Sequence, residues 1–205
     1  MNISNARTSA DYNIVGLGLV LIGATFLIAA FEGILLIGGS SLLGIILVLI
    51  GMVLILLEYG RLREAEKRFL TFGIVVYLVA TLLSVISGVS VRSFSPYLTL
   101  MYSGHAVTAP TVQFVTGMAA LMVIGTLLYV SYFIFIHGLS SSEHKSLLWL
   151  GLLGGLFISI FVMPVADVLQ FYHIGGFGQV VSILKGVVNI IFGIAYILIG
   201  IDIRK

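Results

Sequence analysis

Residues 178–201 read GQVVSILKGVVNIIFGIAYILIGI. The run is long enough to cross a bilayer, which takes about 20 mostly apolar residues in helical form. A single lysine, Lys185, interrupts it, and a charged amine is costly in hydrocarbon unless something meets it. The run therefore decides two things: the chain belongs in a membrane, and its interior holds a polar feature.

Composition agrees. The 205 residues are 60% hydrophobic and 9% charged, against roughly 25% charged in soluble domains. Five further stretches resemble the first: Ile14–Ile37, Ser41–Leu57, Phe69–Val91, Val112–Ile136 and Leu147–Leu169. The expected fold is all-α, one integral membrane domain over residues 1–205: a bundle of six transmembrane helices. The tight Gly38-Gly39-Ser40 turn makes the first two spans a close hairpin. LVLIG recurs at Leu19–Gly23 and Leu47–Gly51, but such matches arise easily in Leu/Ile/Gly-rich helices and define no repeat. The hairpin resembles those of many archaeal membrane proteins, a likeness without functional content.

Basic residues set the direction, because cytoplasmic loops carry the excess of Lys and Arg. With the N-terminus inside, Arg7, Arg61, Arg63, Lys67, Arg68, Lys145, Arg204 and Lys205 lie inside and only Arg92 outside. Both termini are then cytoplasmic, in a multi-pass protein of the cell membrane. Tyr59 and Trp149 fall at the inner boundary, Tyr97, Tyr102 and Tyr172 at the outer one. The polar first thirteen residues do not form a signal peptide. RLREAEKR (Arg61–Arg68) mixes charge signs and reads as a solvated helical turn between spans rather than an anionic-lipid site. Scarce Asn, Gln and Cys fit a thermophile.

Arg92–Thr111, RSFSPYLTLMYSGHAVTAPT, forms the one long loop. It has one formal charge and many apolar residues, so it is expected to fold back as a cap over the outer mouth.

Three charged residues lie within spans: Glu32, Asp167 and Lys185. Counting about 1.5 Å per residue puts all three in the outer half of the membrane. The simplest arrangement pairs Lys185 with Asp167 or Glu32 and ties helices together. The sharper one makes a substrate, ion or proton site, with Asn189 one turn below Lys185 on the same face. Pro164, in MPVAD (Met163–Asp167), removes the donor to the Ile160 carbonyl and is expected to kink the fifth span beside an acid.

No catalytic set emerges. The chain has no cysteine, which excludes thiolate zinc sites and iron–sulfur clusters. His105, His137, His144 and His173 offer no pair at equal depth within spans for haem. His105 and His173 with Glu32 and Asp167 lack any diagnostic metal spacing. No P-loop or HExxH occurs, and no basic patch suggests nucleic acid. The expectation is a non-enzyme without metal or cofactor.

Glycine is the remaining signal, at 24 residues. Small residues let membrane helices approach closely. Gly186, Gly193 and Gly200 recur every seven residues; Gly151, Gly154 and Gly155 with Ser159 mark the fifth span; Gly16 and Gly23 are assigned to the first hairpin. These faces serve either internal packing or docking onto other membrane subunits or a second copy. The sequence thus favours a non-catalytic accessory or structural subunit of a larger membrane complex, of respiratory or oxidase type. The alternative is a small transporter or channel whose outer-half polar site is formed by Glu32, Asp167, Lys185 and Asn189.

Overall fold

The computed structural model describes residues 13–34, 42–86, 112–140, 143–172 and 177–204. The expected cap (Arg92–Thr111), the Gly38–Ser40 turn, His105 and His173 lie outside the described residues. Within them the chain is helical, with no strand. The helices are α1 (Asn13–Ile34), α2 (Leu42–Leu57), α3 (Glu64–Ile86), α4 (Val112–His137), α5 (Lys145–Phe157), α6 (Met163–Phe171) and α7 (Phe177–Arg204). A π-helical turn, Ile158–Val162, joins α5 to α6, so that Lys145–Leu169 forms one membrane-length helix. Four helices are long and apolar enough to cross a membrane: α1, α4, the α5–α6 unit and α7. Ile46–Leu57 of α2 is a shorter apolar helix. The architecture is that of a helical multi-pass membrane protein.

Helix ends follow local chemistry. α3 begins at Glu64, five residues before the apolar run at Phe69, because the polar connection starts the helix itself. The Arg63 backbone N–H donates to Glu66 Oε2 at 2.9 Å, and Glu64 and Glu66 occupy the first turn. Carboxylates there satisfy free N–H groups and favour the positive end of the helix dipole. A 3₁₀ turn, Tyr59–Arg61, precedes it, and the Tyr59 hydroxyl hydrogen-bonds Thr71 Oγ1 at 2.7 Å.

Pro164 expresses itself as the π turn. The Met163 N–H reaches back five residues to the Ile158 carbonyl. A wider turn accommodates the ring and the missing donor while the helix continues.

The tightest seam joins α1 to α7, antiparallel. A Cβ at Gly23 would stand 2.8 Å from the Gly193 carbonyl oxygen, and one at Gly200 would stand 2.6 Å from that of Gly16. The two pairs are seven residues apart on both helices. One more step of seven sets Ala30 against Gly186, both buried. Gly16 and Gly23 thus serve the α1–α7 seam and not the first hairpin, which uses Gly18 and Gly51 instead: a Cβ at Gly51 would stand 2.7 Å from the Gly18 carbonyl oxygen. The physical reason is spacing. Gly16 and Gly23 match the seven-residue repeat of α7, whereas Gly18 lies on another face of α1. Where α1 begins and α7 ends, the Arg204 guanidinium donates from Nε to Asn13 Oδ1 at 2.7 Å.

The other seams run in sequence around the bundle. α2 packs on α1, α1 on α7, α7 on α5, α5 on α4, and α4 on α3. Among the described residues no extended packing joins α2 to α3. The bundle is therefore a horseshoe with α2 and α3 as its two ends.

Candidate functional site: a central cavity

Inside the horseshoe lies a cavity of about 600 Å³, lined from α1, α2, α3, α4, the π turn, α6 and α7. Its inner part is aromatic. The Phe26 ring stands edge-on to Tyr132 at 4.9 Å and stacks on Phe192 at 5.7 Å, and Tyr129 stacks on Phe192 at 6.1 Å. Such pairs contribute about 0.5–1.5 kcal/mol beyond burial. Tyr196 is 1% exposed and donates its hydroxyl to the Tyr132 carbonyl at 2.8 Å. Glycines let these rings seat. Gly155 faces the Tyr129 ring, and a Cβ at Gly151 would stand 3.1 Å from that of Phe192.

The polar lining divides into satisfied and open groups. Thr25 Oγ1 donates to the Leu21 carbonyl at 3.1 Å and Ser131 Oγ to that of Leu128 at 2.7 Å. Ser159 differs. It sits in the π turn, is 1% exposed, lines the cavity, and its Oγ has no hydrogen-bond partner. A buried hydroxyl without a partner forgoes about 1–3 kcal/mol, and π turns recur at functional sites. Lys185 and Asn189 line the same space from one face of α7.

The remaining residues expected at the polar cluster fall as follows. Asp167, on α6, does not line the cavity, and its Oδ2 is buried without a hydrogen-bond partner. Gly151 facing Phe192 and Gly154 facing Val188 fix the register of α5 on α7. Asp167 and Lys185 act on each other, but no ion pair within 4.0 Å joins them. Glu32 belongs to α1, and the register of the α1–α7 seam brings its backbone to the height of Leu184 and Lys185; its side chain is outside the described set. Pro164 lies just past the π turn that carries Ser159.

At the opposite end, His144 Nε2 is hydrogen-bonded to Asp202 Oδ2, tying the start of α5 to the end of α7. Glu143 brings a third donor atom, all three within 4.8 Å of one another. His144 and Asp202 already satisfy each other, so we read the group as a helix tie.

The sequence reading missed Ser159 as a polar site and the tyrosines of the lining, Tyr77, Tyr129, Tyr132 and Tyr196. A signal existed: these tyrosines lie within apolar spans, whereas membrane tyrosines concentrate at the interfaces. No family model, curated protein or solved structure matches the chain.

Proposed function

We propose that the protein is a small transporter or channel whose site is the central cavity, with Lys185 and Asn189 as its polar contacts and Ser159 as a third. The observation that carries this reading is the union of one cation, one amide and one unpartnered buried hydroxyl in a space of about 600 Å³. Ligand pockets are of this kind: concave, largely apolar, with a few convergent polar groups. Six spans, cytoplasmic termini and an outer cap belong to the same proposal, as does a non-catalytic role.

The accessory-subunit reading rests on the small extramembrane mass, the absence of a catalytic set and small-residue faces available to a partner. Gly16, Gly18, Gly23, Gly51, Gly73, Gly151, Gly154, Gly155, Gly193 and Gly200 all face neighbours within the chain, which weakens the last of these.

The test is accumulation. Proteoliposomes are exposed to the small-molecule pool of a cell extract, washed, and analysed by mass spectrometry. At least one solute is expected above empty liposomes, and its excess is expected to vanish in Lys185→Met. Equal contents with and without protein contradict transport. Native mass spectrometry of the chain from its own membranes then decides for the subunit if stoichiometric partners appear.

A further inference from the structure

The chemistry of the lining narrows the ligand, on the premise that the cavity is a binding site. We infer that it takes a lipophilic carboxylate: one anionic head on a flat or rigid apolar body.

The head follows from the polar groups. Lys185 is the charged residue of the described lining, and among the described residues no Asp or Glu lines the space. An ammonium offers three donors, so an ion pair with a neighbour still leaves donors for a ligand. Asn189 adds an amide and Ser159 a hydroxyl free to donate. One cation with two neutral donors suits a single negative charge. A phosphate monoester carries about −1.5 to −2 and is met more often by a bidentate arginine; among the described residues no arginine lines the cavity.

The body follows from the rest. Phe26, Tyr77, Tyr129, Tyr132 and Phe135 present rings to the space. Aromatic faces favour flat, polarisable partners. The volume matches a ligand of drug-like size, in the range of about 300–1,000 Å³. Val48 and Met52 of α2, and Ile74 and Tyr77 of α3, line it from the two ends of the horseshoe.

The experiment uses 1-pyrenebutyrate and its uncharged counterpart 1-pyrenebutanol, titrated into the full chain in nanodiscs. The chain has one tryptophan, Trp149, whose emission pyrene accepts. Occupancy of a site quenches it saturably, whereas partition into lipid does not saturate. Wild type is expected to bind the acid at least about tenfold more tightly than the alcohol, the scale of one charge-assisted hydrogen bond. Lys185→Met is expected to remove that preference while still binding the alcohol, which also shows that the variant folds. Lys185→Arg is expected to keep it. Equal affinity for acid and alcohol in wild type, an unchanged preference in Lys185→Met, or no saturable quenching by either probe overturns the inference. Acid preference without accumulation in proteoliposomes removes transport and leaves the ligand class standing. Accumulation with equal acid and alcohol affinity does the reverse.

Discussion

α7 faces two ways. Toward α1 it presents Gly193 and Gly200, where the backbones approach until no Cβ fits, with the buried Gly186 one further step of seven along. Toward the centre it presents Lys185, Asn189 and Tyr196 around a cavity. The first face has no room to change and the second has room to spare. In lipid, close backbone approach supplies the adhesion that hydrophobic burial supplies in water. The difference teaches that the seam carries the fold and so permits the cavity beside it to remain incompletely filled and incompletely paired.

Breaking the seam should have the largest effect. Gly23→Val puts a branched side chain where a single Cβ already meets the Gly193 carbonyl oxygen at 2.8 Å. Overpacking of this kind costs about 1–3 kcal/mol and more against backbone; we expect loss of the monodisperse folded species by size-exclusion chromatography and a marked fall in thermal midpoint. Retention of the wild-type midpoint would remove the seam from the account.

Tyr196→Phe touches the border between the two regions. It deletes the hydroxyl's hydrogen bond to the Tyr132 carbonyl, which keeps its place in the α4 helix ladder, an expected loss of about 1 kcal/mol, read as a lower midpoint in thermal unfolding. Lys185→Met sharpens the contrast by its mildness. It removes a charge from an apolar surrounding without filling a tight contact, so stability is expected to hold or rise, while any binding of the carboxylate probe falls. A collapse of stability would instead make Lys185 a structural tie. The smallest effect belongs to Gly178→Ala, where nothing lies within 4 Å of the added carbon; the midpoint should move by less than about 0.5 kcal/mol equivalent.

The helices were legible because apolar length reports them directly. Four apolar runs reappear as membrane-length helices with ends within a few residues of those expected. The glycine repeat of α7 was legible as a face, but its partner was not. Gly16 and Gly23 sit in a span whose nearest neighbour in sequence is α2, and only the register of a distant helix reveals why they are seven apart. Lys185 and Asn189 were legible as a polar pair, because one helical turn separates them and both are rare in such a segment. Asp167 and Lys185 were legible as charges on consecutive antiparallel helices that act on each other, but whether they meet as an ion pair depends on side-chain placement that spacing does not specify. Ser159 was hidden because a serine beside glycines reads as packing. Its meaning comes from the π turn before Pro164, a local rearrangement that a missing donor announces without specifying.

The absence of cysteine in the chain permits a direct measurement of the central claim, that an open polar cavity lies beside a closed seam. Asn189→Cys in the cavity and Ala30→Cys in the seam are each reacted, in the folded protein, with a small methanethiosulfonate reagent. The account predicts rapid modification of Asn189→Cys and none of Ala30→Cys. Equal protection at both positions would contradict it, since the centre of the bundle would then be as closed as the seam.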